Sequence, residues 1–540
     1  MATIKKIRIE NFKCFDKFEL SLNKGINIIV GNNEAGKSTI LEAIHVCLTG
    51  ILNGRYLKNE LSQYLFNKVV EKQYLDSLKT HNKLLPPKIE IELFLEGDGL
   101  ENLMGDGNSE HNSNVSLLFK IEFDDSFQPE YDELIRDKKL SSIPIEYYKI
   151  EWRTSARENV TSRSIPIKSA LIDSSSTKFQ NGSDVYISRI IRDDLEEKEK
   201  VAISQAYREM RDGFIGRDTI KAINEKIENK SKISKKKIHI CVDLSTKNAW
   251  ETTLMTYIDD IPFHYIGKGE QCIIKTKLAL GHSKASESNV ILLEEPENHL
   301  SHTKLNEFVG SLIDEIAEKQ IIISTHSSFI ANKLGLNNLI LINDKKSLKF
   351  NDLLEGTQDF FKKLPGYNTL RLILCEKALL VEGPSDELIV QRAFMDENSR
   401  KLPIENGIDV ISVGLTFKRF LEIASKIDKK VAVVTDNDGD FDSKISKKYE
   451  DYTGLTKIKI CADNRNVLHT LEPQVVDANK DNLEEFSKIV CVDFQKYNTE
   501  ETIGNYLKDN KTEWALNVFE SKEKIGYPKY IKEAITWINE

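Results

Sequence analysis

Cysteine is sparse in this chain and nowhere clustered. Cys14, Cys47, Cys241, Cys272, Cys375, Cys461 and Cys491 are spread over 540 residues. None stands in CxxC spacing, which argues against both a disulfide scaffold and a structural zinc site. Long apolar runs are missing as well. No stretch approaches the roughly 20 residues needed to span a bilayer, and MATIKKIRIENF opens directly into a strand-like alternation. A cytoplasmic location with no membrane partner is the expectation. Internal repeats and low-complexity segments are lacking. So is an excess of positive charge: the net charge of −9 argues against a histone-like binder. An enzyme with a local basic channel stays open, because nucleic-acid binding needs only a local basic face.

The length is too great for one core, so two or three domains are expected. In the first, IKKIRIENF alternates, GINIIVG reads as a buried strand, and STILEAIHVCLTG has helical spacing. KIEIELFLEG, VSLLFKIEF and EYYKIEW continue the strand pattern, with a polar loop between the first two. Residues 156–237 turn charged and helix-like, either a solvated insert or a dimerisation arm. IHICVDL, VILLEEP, QIIISTH, NNLILIND and SLKFNDL then return to strands, so residues 1–155 and 238–370 form one unit around the insert. From 371 to 540 strands alternate with helices, as in a mainly parallel sheet.

Two patterns carry chemistry. The first is GNNEAGKS, Gly31 to Ser38, following a strand and opening a helix. The glycines let backbone N–H groups turn in on phosphates, Lys37 neutralises their charge, and Ser38 offers a hydroxyl to magnesium. The nucleotide-binding set is Asn32, Asn33, Glu34, Ala35, Gly36, Lys37, Ser38 and Thr39. Downstream, ILLEEP ends an apolar strand in Glu294, suited to the magnesium shell, and Glu295, suited to polarising an attacking water. IIISTH ends in His326, an imidazole placed to sense a γ-phosphate. Gly267, Lys268 and Gly269 form a Gly-rich turn between them.

The second is acidic. Glu382 ends the strand ALLVEG, and Asp386 opens the following helix. Asp436, Asp438 and Asp440 follow the strand VAVVT. Carboxylates on neighbouring strand ends can converge on one or two divalent cations. Oxygen ligands favour Mg2+ or Mn2+ over zinc. DNDGD alone also fits a capped turn, though it lacks the downstream glutamate of a calcium loop.

The order phosphate loop, Gly-rich turn, ILLEEPE and STH resembles the ATP-binding-cassette ATPases of chromosome maintenance and recombination. That resemblance implies a homodimer, or a higher oligomer, in which Gly269 of one subunit closes over the ATP of the other. Glu294 stands where that family has aspartate and Gly267 where it has serine, which argues for binding with slow hydrolysis. LLVEGPSD with VVTDNDGD resembles the Toprim domain of topoisomerases, primases and certain nucleases. That resemblance implies Glu382 as general acid/base, Asp436 and Asp438 as metal ligands, and Asp386 and Glu472 as auxiliary ligands. The two in tandem resemble the overcoming-lysogenization-defect (OLD) nucleases, which places a catalytic lysine near the C-terminus, at Lys524 or the nearby Lys522.

The expected fold class is α/β: an ATP-binding-cassette-like domain with a helical insert, then a Toprim domain. The expected function is an ATP-binding, metal-dependent DNA endonuclease in defence against phage or plasmid DNA, acting with or without a partner protein or nucleic acid. A repair ATPase with a non-catalytic Toprim unit and an RNA-cleaving effector are the alternatives. His299 and His302 read as a dimer-interface loop rather than a metal pair. The basic run Lys230 to Lys237 reads as a solvated face or a DNA contact.

Overall fold

The computed structural model describes all residues except 1, 54, 60, 81–82, 137–139, 163, 174–178, 181–182, 185–194, 231–239, 241–255, 282–288, 299, 316–318, 328–329, 331–333 and 364–366. The expected strand IHICVDL, the basic run after Lys230 and His299 therefore lie outside the described residues.

The first unit stacks two sheets on one helix. The strand Thr3–Phe12 alternates Ile7 and Ile9 inward with Lys6, Arg8 and Glu10 outward, the period-two pattern of a half-buried strand. It pairs antiparallel with Ile89–Glu96 on one side. On the other lies Phe15–Ser21, joined to it by the two-residue turn at Lys13 and Cys14. The sequence pattern leaves this second strand unassigned, because Asp16, Lys17 and Glu19 dilute its apolar signal. Phe15, Phe18 and Leu20 nevertheless face the core. Asn114–Phe123 and Tyr148–Thr154 extend the seven-stranded sheet.

The second sheet has six strands in the order Ser169–Asp173, Val290–Glu294, Gln320–Thr325, Ile26–Gly31, Leu339–Asn343 and Lys346–Lys349. All neighbours are parallel except the last pair. The helix Lys37–Thr49 lies between the sheets. Ile40, Leu41, Ile44, Cys47 and Leu48 are buried with Ile7 and Ile91 of one sheet and Ile29, Leu292 and Ile322 of the other. A helix apolar on most of its circumference is what a two-sided burial requires. The charged insert contributes the helices Glu197–Gly216 and Asp218–Lys230.

The second unit is a four-stranded, all-parallel sheet ordered Ile408–Ser412, Lys377–Val381, Lys430–Val434 and Ile458–Cys461. The helices Leu471–Ala478, Glu500–Asp509, Lys511–Glu520 and Lys529–Asn539 pack against one face, with Trp514, Ile531 and Ile535 buried beside Leu379 and Val381. The other face does not end at a domain boundary. Leu380, Val431 and Phe420 share one apolar cluster with Ile28, Val30 and Leu341 of the first unit. At the seam Lys429, buried, donates to the carbonyls of Ile373 (3.1 Å) and Cys375 (2.6 Å). The α/β class and the order of the two units are as the sequence predicts.

Candidate functional site

The phosphate loop leaves the C-terminal end of Ile26–Gly31 and enters the helix at Lys37. Gly36 has φ 97°, and a Cβ there would sit 2.4 Å from Phe15 Cζ. Only glycine keeps this loop tight against the hairpin. Lys37 is 5% exposed and donates to the carbonyls of Gly31 (2.9 Å) and Asn32 (3.0 Å). Burial lowers its pKa, opposed by the charges of Glu295, Glu297 and Glu294. Asn33, Glu34 and Ser38 are exposed, Ala35 is half-buried, and Thr39 is buried against Cys14. Asn32 turns its amide away to the Cys375 carbonyl, 3.3 Å off, at the start of the second unit.

Glu294 ends, and Glu295 follows, the strand next but one to Ile26–Gly31, and His326 follows the strand between. His326 Nε2 lies 3.0 Å from Glu295 Oε1, so these two sequence-predicted residues are brought together beside Lys37. The turn at Gly267 opens the helix Lys268–Gly281. None of the hydrogen bonds among the described residues ties Gly267 or Gly269 to the phosphate loop. A strand end, a helix N-terminus and a buried ammonium fit a nucleoside triphosphate with its cation.

In the second unit four carboxylates gather at the C-terminal ends of adjacent strands. Glu382 Oε1 accepts from Thr435 Oγ1 (2.6 Å) and from the Asp436 N–H (3.1 Å). Asp386 caps its own helix, accepting from the Gly383 N–H at 3.0 Å. Glu472, 3% exposed, comes from the first turn of Leu471–Ala478. Burial, then Glu382 and more weakly Glu472, pushes the Asp386 carboxyl up to about 7. Burial, then Asp386, Glu382 and Glu472, pushes Asp436 up to about 9. The Oδ1 of Asp436 is buried without a hydrogen-bond partner. An orphaned acceptor amid like charges is a donor set suited to a hard divalent cation. Among the described residues no three such groups close on a common point; the four acids reach one another electrostatically.

Asp438 is exposed at the rim, at φ 50°, its N–H donating to the His469 carbonyl at 3.2 Å. The left-handed residues Asp438 and Gly439 swing the chain so that Asp440 faces away. Asp440 Oδ1 instead accepts from the Ser443 N–H at 3.1 Å. Lys524 is also elsewhere. It donates to the Asp396 carbonyl at 2.9 Å, near the C-terminal end of the helix Pro384–Glu397 whose first turn carries Asp386. The helix rise between those two residues is about 15 Å. Arg392 fixes that arrangement, since it is fully buried and binds the carbonyls of Val518, Phe519 and Ser521. Lys522 gives its carbonyl to Arg400 in the same clamp.

Three residues at the acidic site have no sequence motif. Lys508 Nζ is 3.3 Å from His469 Nε2, beside the Asp438 loop. The Tyr449 hydroxyl is buried without a partner, and burial with the charges of Glu382 and Asp438 raises its pKa. Only their approach from other helices and turns marks them.

Residues 3–331 match the family model for an AAA ATPase domain, and the chain belongs to that family. Residues 373–438 match the TOPRIM domain of overcoming-lysogenization-defect-like proteins, so the chain joins the two units that define the OLD arrangement. The DNA replication and repair protein RecF of Clostridium acetobutylicum is 29% identical over 28% of this chain and 40% of its own length. The DNA double-strand break repair Rad50 ATPase of Thermoplasma acidophilum is 28% identical over 27% of this chain and 18% of its own. The chain thus spans less than half of either relative. Endonuclease GajA of Bacillus cereus is 21% identical over 88% of this chain and 81% of its own length. Among the described residues no helix is long and apolar enough to cross a membrane.

Proposed function

We propose that this protein is a divalent-metal-dependent DNA endonuclease whose acidic site cuts phosphodiester bonds under the control of nucleotide bound at Lys37. The observation that carries this reading is the buried, unpartnered Oδ1 of Asp436 amid Glu382, Asp386 and Glu472. The similarity to a protein named endonuclease across both units supports it. Magnesium or manganese held there would lower the pKa of a water nucleophile and offset charge on the leaving oxygen. Asp436, Asp386 and Glu472 hold the cation, Asp438 stands ready at the rim, and Glu382 moves the proton. Thr435 and the Asp436 N–H fix one oxygen of Glu382, which orients the other. Lys508, rather than Lys524, is placed to meet the phosphate next to Asp438.

On the nucleotide side, Lys37 and Ser38 bind the triphosphate and its magnesium, and Glu295 orients water. Glu294 and Gly267 favour slow turnover. Two copies meet through their ATPase heads, each presenting Gly269 to the other's nucleotide. The units run from 1 to 155 and 238 to 370 for the ATPase, 156 to 237 for the insert, and 371 to 540 for the nuclease. Action on phage or plasmid DNA, alone or with a defence partner, is the role that the OLD arrangement supports.

The test is incubation of the purified protein with Mg2+ or Mn2+ and plasmid DNA or RNA, with and without ATP. Plasmid nicking is expected, and Glu382→Ala should slow it on the order of a thousandfold. Undiminished cleavage by Glu382→Ala would remove the site assignment. The likeness of the ATPase unit to RecF and Rad50 favours a second reading, a repair ATPase whose acids only bind; DNA binding with no cleavage under any metal would select it.

A further inference from the structure

We propose that Glu297 is the positioning residue that sets His326 against Glu295, a role that rests on reading the phosphate loop as an ATP site. The strands Val290–Glu294 and Gln320–Thr325 run parallel and end together, with Glu294 opposite Ser324. Beyond that point the ladder stops, and the N–H groups of residues 326 and 327 lose their strand partners. Glu297 replaces them. Its Oε1 accepts from Thr325 Oγ1 at 2.5 Å, from the His326 N–H at 2.8 Å and from the Ser327 N–H at 3.2 Å. Hydrogen bonds to an ionised acceptor are the stronger kind, so the backbone that carries the imidazole is held at its root.

The imidazole tip then meets Glu295. That residue is itself confined: it sits at φ 40°, its N–H donates to the Ser324 carbonyl at 2.9 Å, and its Oε2 accepts from Asn298 at 3.1 Å. One oxygen of Glu295 thus lies on Asn298 and the other 3.0 Å from His326 Nε2, so the position of the imidazole bears on the carboxylate's orientation. Glu297 sets that position.

A capping carboxylate with no further task would have both oxygens satisfied. Glu297 Oε2 is buried with no hydrogen-bond partner, and its charge reaches Lys37 alongside those of Glu295 and Glu294. The carboxylate therefore anchors the turn with one oxygen and faces the ammonium's surroundings with the other. It acts through His326.

The test has one arm without nucleotide and one with it. In the nucleotide-free protein, Glu297→Ala should speed amide hydrogen exchange at His326 and Ser327 about tenfold or more, while Glu297→Gln keeps the protection. Glu297→Asp, which retains charge but falls a methylene short, should behave like the alanine variant. In single-turnover ATP hydrolysis, Glu297→Ala should be slower by about 100-fold with ATP affinity within about threefold of the parent, and Glu297→Gln should recover most of the rate. Unchanged exchange in both Glu297→Ala and Glu297→Asp would overturn the proposal. So would an affinity loss that matches the rate loss, since that would make Glu297 a binding or folding residue. Lys37→Ala separates the two claims: if it binds ATP like the parent, the ATP-site reading fails, and the exchange data still judge Glu297.

Discussion

At the phosphate loop, Lys37 rests on two backbone carbonyls and Glu295 lies against His326, whereas at the ends of the second unit's strands carboxylates face carboxylates. The nucleotide site sets an ammonium among carboxylates, with Glu295, Glu297 and Glu294 all acting on Lys37. The acidic site sets carboxylates among carboxylates: Asp386 and Asp436 hold protons far above the usual carboxylate range, and one oxygen of Asp436 has no partner. Desolvation acts on both, but only the first has opposite charges within reach to offset it. The lesson is that one site is built to wait for its ligand and the other is destabilised until a proton or a cation arrives.

That contrast can be broken most severely at Lys37. Replacing it with alanine should weaken ATP binding by about 100-fold, measured by fluorescent-nucleotide titration, and leave Mg2+-induced thermal stabilisation of the acidic site in place. Loss of both together would mean that the sites are not separable. Next in size is the lysine comparison. Lys508→Ala should slow plasmid cleavage by about 30-fold and Lys524→Ala by no more than about threefold; the reverse order would restore Lys524 to the site.

The smallest effect is on stability. Asp436 has a folded pKa of about 9 against an ordinary value of 3.8, so the folded state binds the extra proton between those limits. Its contribution to stability is fully present below the ordinary value and is lost as pH rises towards 9. Asp436→Asn should therefore raise the melting temperature of the metal-free protein by about 3 °C at pH 8, with the gain fading as pH falls towards 4. A gain that grew on acidification would contradict the charge argument.

Much of this was legible in the chain. The phosphate loop and the acid-bearing turns announce themselves because their chemistry depends on residues a few positions apart, where strand, turn and helix follow from local spacing. Phe15–Ser21 escaped because its strand character lies in three inward apolar side chains that count only once a partner is beside them. Proximity in sequence groups Asp440 with Asp436 and Asp438, which the left-handed turn at Asp438 and Gly439 undoes. Resemblance alone points to Lys524, and the Arg392 clamp holds it a helix length away. Lys508, His469 and Tyr449 reach the acidic site from other elements, and no spacing rule could have named them; Glu297 closes the ILLEEPE pattern, but its role shows only in its bonds to residues 325–327.

What the sequence determined by itself, then, was the kind of chemistry at each site: an ammonium and N–H groups for phosphate, carboxylates for a cation. Those follow from residue type and short-range geometry. The tertiary structure alone decided which acids meet, which lysine lies near them, and that Leu380 and Val431 share a core with Ile28 and Val30. Each of these depends on side chains distant in sequence being buried together, and burial is a property of the whole packed chain.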